Sequence, residues 1–212
     1  MRRVVRALAV TTATAAAIIL GGGVASAVPF TPGTWTVTPS GTIGATAGVT
    51  TLTAGPPGQA ATVTLTCQSS SVVGGVALAG ATGSPATLGN LPQGSVRFTS
   101  CSGPFGFNFS VAHLGNWPLQ GITYDPAVNS GTTAGRITNI TARLTGPFCT
   151  ATITGTAAAT YTNNDWRLVT NPARTLTVSQ VSGCLNLLQA GYTAGFNGAY
   201  TLSPHLTITA VP

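Results

Sequence analysis

The segment Ala61-Thr62-Val63-Thr64-Leu65-Thr66-Cys67 decides the fold class, because apolar and hydroxyl side chains alternate along it. Successive side chains of a β-strand point to opposite faces, so this alternation is typical of a strand with one buried and one hydrated face. No segment after residue 30 sustains a 3.6-residue apolar period long enough for an ordinary helix. We therefore predict an all-β protein.

The same alternation recurs along the chain in short runs separated by turn residues such as Gly55-Pro-Pro-Gly58. The runs are Trp35–Thr38, Val49–Thr53, Val96–Thr99, Phe105–Val111, Ile137–Leu144, Cys149–Thr154, Trp166–Val169, Leu176–Val178, Ala199–Leu202 and Leu206–Ala210. In Phe105–Val111 the odd positions Phe105, Phe107, Phe109 and Val111 are predicted to share one inward face. Roughly ten to twelve short strands predict an antiparallel β-sandwich or a partly closed barrel in one domain, residues 28–212.

One segment, residues 182–191, departs from this pattern. It offers Ser182 as a helix cap, several good helix formers and Gly191 as a terminator. We predict one short helix there.

The first 27 residues have the pattern of a secretory signal peptide. Arg2, Arg3 and Arg6 precede an uncharged, largely apolar run, and Ala25-Ser26-Ala27 is the small-x-small pattern of a cleavage site. A membrane anchor is the alternative, but the run is shorter than the roughly 20 residues needed to span a bilayer. Residues 28–212 are thus predicted to be secreted, free or loosely wall-associated, without a stable membrane anchor.

Charged side chains are scarce, which restricts the chemistry open to this protein. Only 5% of the 212 residues are charged, against roughly 25% in an ordinary soluble domain. Beyond residue 27 the chain has five arginines and two aspartates, so we predict no affinity for nucleic acid.

Four cysteines, Cys67, Cys101, Cys149 and Cys184, suggest two disulfides in an exported chain. Three pairings are possible, and the near-equal spacing favours Cys67 with Cys101 and Cys149 with Cys184. A zinc site is the alternative, but the chain has no C-x-x-C motif and its histidines lie far from the cysteines in sequence.

Catalysis would depend on His113, His205, Asp125 and Asp165, the only side chains of their types. A Ser-His-Asp triad has no supporting motif, and Asp125-Pro126 is typical of a turn. The two aspartates make a poor glycosidase pair, and no ligand spacing indicates a metal site. We predict no enzyme activity, metal or cofactor.

Non-covalent binding is the function class most compatible with these residues. We predict that Trp117 lies exposed on a loop, because Gly115 and Pro118 flank it, and that Asn116 and Tyr124 complete a binding surface. The partner stays open between cell-wall glycan, a small apolar ligand and another secreted protein.

A set of motifs resembles small exported proteins of high-GC Gram-positive (actinobacterial) bacteria, a group of unknown function. The motifs are Trp35-Thr-Val-Thr38, Leu65-Thr-Cys67, Phe98-Thr-Ser-Cys-Ser-Gly-Pro104, Asn116-Trp-Pro-Leu119, Gly135-Arg-Ile-Thr-Asn-Ile-Thr141 and Gly146-Pro-Phe-Cys149. The resemblance covers most of residues 28–212 and implies export and two disulfides, but no activity. In composition the chain is also similar to enediyne-binding apoproteins of actinomycetes, although it is longer and shares no motif with them.

The sequence therefore predicts a secreted, non-enzymatic binding or structural module of the cell envelope or medium. Self-assembly into a surface or matrix layer is a second hypothesis, because uncharged Thr-rich edge strands can pair between chains. A secreted hydrolase is a third.

Overall fold

The computed structural model describes residues 28–212, and the signal peptide predicted at residues 1–27 lies outside this range. Within this range, β-strands are the only regular structure apart from two 3₁₀ turns, as the alternation predicted. The strands are β1 Thr34–Thr38, β2 Gly41–Ala47, β3 Thr50–Gly55, β4 Val63–Ala77, β5 Gly80–Thr82, β6 Ala86–Leu91, β7 Val96–Ser102, β8 Asn108–Leu114, β9 Trp117–Asp125, β10 Thr132–Gly146, β11 Cys149–Thr162, β12 Arg167–Thr170, β13 Leu176–Gly183, β14 Thr193–Asn197, β15 Ala199–Ser203 and β16 Thr207–Val211.

Thirteen of these strands close into one antiparallel barrel with eight strand positions around its circumference. The long strands β4, β10 and β11 each fill one position over the full height. Each other position holds two strands that follow one another in the chain, and these are β2 with β3, β6 with β7, β8 with β9, β12 with β13, and β14 with β15. Neighbouring positions follow the order of the sequence, so the barrel is of the up-and-down type.

Glycine or proline is found at each interruption between two short strands that share a barrel position. The breaks contain Gly48, Pro92 with Gly94, Gly115, Pro172 and Gly198. Both residue types weaken a strand interior, glycine through its flexibility and proline through its missing N–H. The interruptions explain why the structure has more strands than the sequence pattern predicted.

A second, three-stranded sheet of β16, β1 and β5 packs beside one end of the barrel, which we call the base. Val37 and Ile208 of this sheet, with Leu206 just before β16, line a cavity of about 60 Å³ together with residues of the barrel wall. Trp35 of β1 is 1% exposed and donates its indole N–H to the Gly83 carbonyl at 2.9 Å. The base sheet therefore closes this end of the barrel.

The two predicted disulfides are confirmed as Cys67–Cys101 and Cys149–Cys184. The first joins residues directly opposite each other on β4 and β7, and the second joins the start of β11 to the residue after β13. Both lie at the end opposite the base, which we call the crown end. Two disulfides are typical of proteins that fold in an oxidising compartment.

The helix predicted at residues 182–191 is reduced to a single 3₁₀ turn, Cys184–Asn186. Cys184, Leu185 and Asn186 all have positive φ, and the cross-link to Cys149 fixes the first of them. This backbone is incompatible with a continuing right-handed helix. No helix within residues 28–212 is long and apolar enough to cross a bilayer.

Barrel closure also limits the strand edges that self-assembly could use. Every barrel position is paired on both sides, and full closure removes free strand edges. Within the described residues, strands β5 and β16 of the base sheet pair on one side only. Edge-to-edge pairing between chains would therefore have to use this small sheet.

Candidate functional site in the barrel interior and at the crown

The barrel interior holds an apolar cavity of about 90 Å³. Side chains from all eight strand positions line it, among them Ile43, Leu65, Val96, Trp117 and Phe196. These residues face inward because each is an apolar member of an alternating strand. An apolar cavity of this kind stays free of water and can bind apolar molecules.

Two smaller cavities continue the main one toward both ends of the barrel. Leu65 and Leu144 line both the main cavity and a cavity of about 40 Å³ under the crown-end loops. Leu119 and Ile137 are shared in the same way with the cavity above the base sheet. The three cavities thus lie in a row along the barrel, with single layers of side chains between them.

Polar groups in the main cavity wall are few. The Tyr200 hydroxyl accepts a hydrogen bond from Ser70 Oγ at 2.8 Å, and burial raises the pKa of Tyr200 to about 12. Thr50 is 1% exposed, and its Oγ1 has no hydrogen-bond partner among the described residues. A buried polar atom without a partner is rare in proteins, so the Thr50 hydroxyl is a candidate contact for a polar group of a ligand.

The prediction that Trp117 is exposed on a loop is wrong. Its side chain is 6% exposed, lines the main cavity and donates its indole N–H to the Leu114 carbonyl at 3.0 Å. Trp117 begins β9, where Pro118 is accommodated within the strand. Trp117 is therefore oriented into the barrel and is not available to a partner on the outer surface.

The three predicted binding residues do not form one surface. Asn116 is exposed at the break between β8 and β9, and its side-chain amide donates to Asn90 Oδ1 at 3.1 Å. Tyr124 is buried at the base, where its ring packs edge-on against Phe30 and Trp35. Burial raises the pKa of Tyr124, with a smaller contribution from Asp125 and an opposing hydrogen bond from Asn163. At about 3.3 Å per residue, Tyr124 lies roughly 23 Å along the strand from Trp117.

The four side chains considered for catalysis have separate partners. His113 Nδ1 accepts the Val96 N–H at 3.1 Å, and Asp125 accepts the Ala127 N–H at 3.0 Å. Asp165 accepts from the Thr162 hydroxyl, and His205 stacks on Trp166 with ring centroids 3.6 Å apart. In residues 28–212 no hydrogen bond joins any two of the four, and no three His, Cys, Asp or Glu residues cluster as metal ligands.

The environment of His113 gives the protein a testable pH dependence. Its side chain is buried against Trp117, and this burial lowers the pKa of His113, with a smaller opposing effect from the Gly115 backbone. Between the lowered folded-state pKa and the unfolded value of about 6.5, the unfolded chain binds more protons than the folded one. The free energy of unfolding is therefore expected to fall as the pH drops below about 6.5.

Denaturant unfolding of the wild type and of His113→Asn between pH 5 and 7.5 measures this effect. The slope due to one proton cannot exceed about 1.4 kcal/mol per pH unit, and the variant should lose it. His205→Asn is the matched control, because it replaces the other histidine, which stacks on Trp166. An unchanged slope in His113→Asn would contradict the assignment.

Three exposed apolar side chains at the crown end were not predicted as functional. Phe105, Phe148 and Leu185 are 80%, 66% and 63% exposed, and we call them the crown. Phe107 connects two of them, with its ring centroid 6.4 Å from that of Phe105 and 6.2 Å from that of Phe148. The prediction that Phe105 faces inward on a strand is wrong, because β8 begins only at Asn108.

The backbone holds the crown in a costly conformation. Phe105 has φ 60° and Leu185 has φ 49°, and both residues lack the freedom that glycine has in this region. Such non-glycine conformations cost on the order of 1–3 kcal/mol each and are enriched at functional sites. Exposing large apolar groups to water adds to that cost, so the crown has the features of a surface shaped for contact.

Covalent and packing constraints anchor each crown residue. Phe148 precedes Cys149 and Leu185 follows Cys184, so one disulfide fixes both, and the Phe148 carbonyl accepts the Cys184 N–H at 2.7 Å. Phe105 lies four residues after Cys101, and in the same loop the Phe109 ring packs between Gly103, two residues before Phe105, and Gly146. A Cβ at either glycine would lie 2.6 Å from that ring. The disulfide, this hydrogen bond and the packing of Phe109 therefore constrain the loops that carry the crown.

A signal for the crown exists in the sequence. The tripeptide Gly-Pro-Phe occurs twice, as Gly103-Pro104-Phe105 and Gly146-Pro147-Phe148, each close to a cysteine. Glycine and proline mark turns, and a large aromatic residue in a turn has no strand face on which to be buried.

No protein-family model, no curated protein and no solved structure matches this chain.

Proposed function

We propose that this protein is a secreted, non-enzymatic binding protein that takes a slender apolar molecule with one hydroxyl or similar polar group into its barrel. The row of apolar cavities along the barrel is the observation that carries the proposal. Closed eight-stranded barrels are wide enough to hold one small ligand, as lipocalins do. Of the partners that the sequence left open, a small apolar ligand has the most support.

The volume of the main cavity limits the shape of the ligand. At about 90 Å³ it is smaller than the roughly 150 Å³ apolar cavity known to accept benzene. A ring would have to displace wall side chains, whereas a hydrocarbon chain can extend from one cavity to the next. Trp117 would pack against the chain, and the unpartnered Thr50 hydroxyl would bind its polar end.

Secretion and the absence of catalysis belong to the same proposal. The signal-like residues 1–27 and the two disulfides support export to an oxidising compartment. The scarcity of ionisable side chains supports non-covalent binding, because general acid-base catalysis needs them within hydrogen-bond reach of the reacting atoms.

Titration with straight-chain alcohols of four to ten carbons tests the proposal. Each CH₂ buried adds about 0.8 kcal/mol, so the affinity should rise about fourfold per carbon until the row of cavities is filled. Ala142→Leu fills part of the main cavity and should weaken binding of the longer alcohols at least tenfold, or about 1.4 kcal/mol. Calorimetry measures the affinity, and a ligand-dependent rise in Tm provides an independent check.

The neighbouring strand supplies a matched control. Ala112→Leu adds the same atoms on the outer face of β8, where residue 112 is exposed, and should leave binding unchanged. Thr50→Val replaces the hydroxyl with a methyl group and should lower affinity for alcohols but not for the corresponding alkanes. Equal binding by Ala142→Leu and wild type, or no binding of any chain length, would refute the proposal.

A further inference from the structure

The charged residues of the described chain are unevenly distributed between the two ends of the barrel. Asp125 ends β9 and Asp165 lies in the turn after β11, so both carboxylates are at the base. The base half also contains Arg136 and Arg167, which balance them. The crown half contains three arginines and neither aspartate.

Two of these arginines lie side by side on the outer wall. Arg97 of β7 and Arg143 of β10 are both exposed and both pair in register with Ala112 of the strand between them. Two strand spacings place their Cα atoms about 10 Å apart. Arg143 is three residues from the crown end of β10 at Gly146, which corresponds to about 10 Å along the strand.

The third arginine is attached to a crown-end loop. The Arg174 guanidinium donates to the carbonyl of Pro56 at 3.3 Å and to that of Gln59, and both belong to the loop between β3 and β4. The four loops at this end, residues 56–62, 103–107, 147–148 and 184–192, contain no charged residue. The crown is therefore an uncharged apolar tip with positive charge set back from it.

We propose that the crown docks the protein onto the surface of an anionic lipid bilayer. Phe105, Phe148 and Leu185 enter the boundary between headgroups and acyl chains, and Arg97 and Arg143 face the lipid phosphates. Apolar side chains of peripheral proteins are buried about 5–10 Å into this boundary, and nearby basic residues are attracted to anionic lipids. This docking does not depend on whether the barrel takes up a ligand.

The size of the crown favours a bilayer over a protein partner. Three side chains of this kind expose an area on the order of 400 Å², whereas a stable protein interface buries about 800 Å² on each partner. The crown residues also lie on three separate loop tips, surrounded by uncharged residues that offer no ionic pairs to a protein surface. Shallow insertion into a bilayer needs only such tips and flanking cations.

Sedimentation with vesicles tests the proposal, using the full chain with both disulfides formed. Wild type should bind vesicles of equal parts phosphatidylglycerol and phosphatidylcholine more tightly than pure phosphatidylcholine, and binding should weaken as salt rises. The triple variant Phe105→Asn, Phe148→Ser, Leu185→Asn should lose more than tenfold in affinity. Asparagine is chosen at residues 105 and 185 because it tolerates positive φ.

Matched controls separate the crown from general surface hydrophobicity and from charge. The triple variant Val49→Ser, Val73→Ser, Val211→Ser removes three other exposed apolar side chains and should bind vesicles like wild type. The double variant Arg97→Gln, Arg143→Gln should lose the preference for phosphatidylglycerol and leave binding to pure phosphatidylcholine unchanged. Near-ultraviolet circular dichroism verifies that each variant is folded.

Three outcomes would overturn the proposal. The crown variant could bind vesicles as tightly as wild type, or the valine control could lose as much affinity as the crown variant. Wild type could also bind neither vesicle while self-associating in a crown-dependent way during analytical ultracentrifugation. The last result would assign the crown to contact between copies of this chain.

Discussion

Removal of the Cys67–Cys101 disulfide by Cys67→Ala and Cys101→Ala is expected to lower the free energy of unfolding by about 3.8 kcal/mol. A cross-link closing a loop of this length restricts the unfolded chain by that amount in the loop-entropy model. Alanine is preferred to serine because both cysteines are buried, and a hydroxyl without a partner would add its own cost. Denaturant unfolding at pH 7 measures the change.

The second disulfide provides an internal comparison. Sequence separations of 34 and 35 residues predict equal losses for Cys67–Cys101 and Cys149–Cys184 when each is removed alone. The alanine variants at Cys149 and Cys184 should in addition weaken vesicle binding, because this disulfide fixes Phe148 and Leu185. A loss below about 1 kcal/mol for either disulfide would contradict the loop-entropy account.

The alternation of side chains was sufficient to predict the fold class, and the cysteine spacing was sufficient to predict the disulfide pairing, but neither gave the number of strand positions. Closure depends on which strands are partners and in what register. The pairing of β3 with β14, for example, joins residues about 140 positions apart, and no local pattern encodes it. In addition, the interruptions at Gly115 and Pro172 divide two barrel positions into pairs of short strands, so the sequence pattern does not show that each pair shares one position.

Trp117 illustrates how local rules misled the interpretation of a residue. Gly115 and Pro118 indicated a loop. However, the odd-numbered side chains His113, Trp117 and Leu119 all face the barrel interior. The strand is interrupted at Gly115, which has φ 70°, but its inward face keeps the same parity on both sides of the break. Alternation extended across the glycine would have placed the indole in the barrel.

The crown could not be derived from periodicity, because its residues deviate from it. Phe105 continues the odd-numbered alternation of Phe107 and Phe109, so the sequence pattern favours burial. The left-handed backbone at Phe105 turns this residue outward, and such a conformation is not predictable for phenylalanine. Departures from local sequence rules of this kind are typical of functional or strained sites.

The base sheet depends on one buried amide, and this gives the last prediction. Asn163 lies in the turn after β11, yet it is only 7% exposed and is linked to β16. Its Nδ2 donates to the Ile208 carbonyl at 2.8 Å and to the Ser130 carbonyl at 3.0 Å, and its Oδ1 accepts the Ile208 N–H at 2.9 Å. The side chain thus acts as an additional strand partner for Ile208.

Asn163→Ala is expected to lower the free energy of unfolding by about 3 kcal/mol, since it leaves the buried N–H and C=O of Ile208 without partners and removes a further hydrogen bond to Ser130. The Asn164→Ala control removes an exposed side chain from the same turn and should change stability by less than about 0.5 kcal/mol. Hydrogen exchange locates the effect, because the Ile208 amide loses its acceptor and should exchange faster in Asn163→Ala alone. Unchanged exchange at Ile208 would mean that pairing with β1, rather than this amide, holds β16 in place.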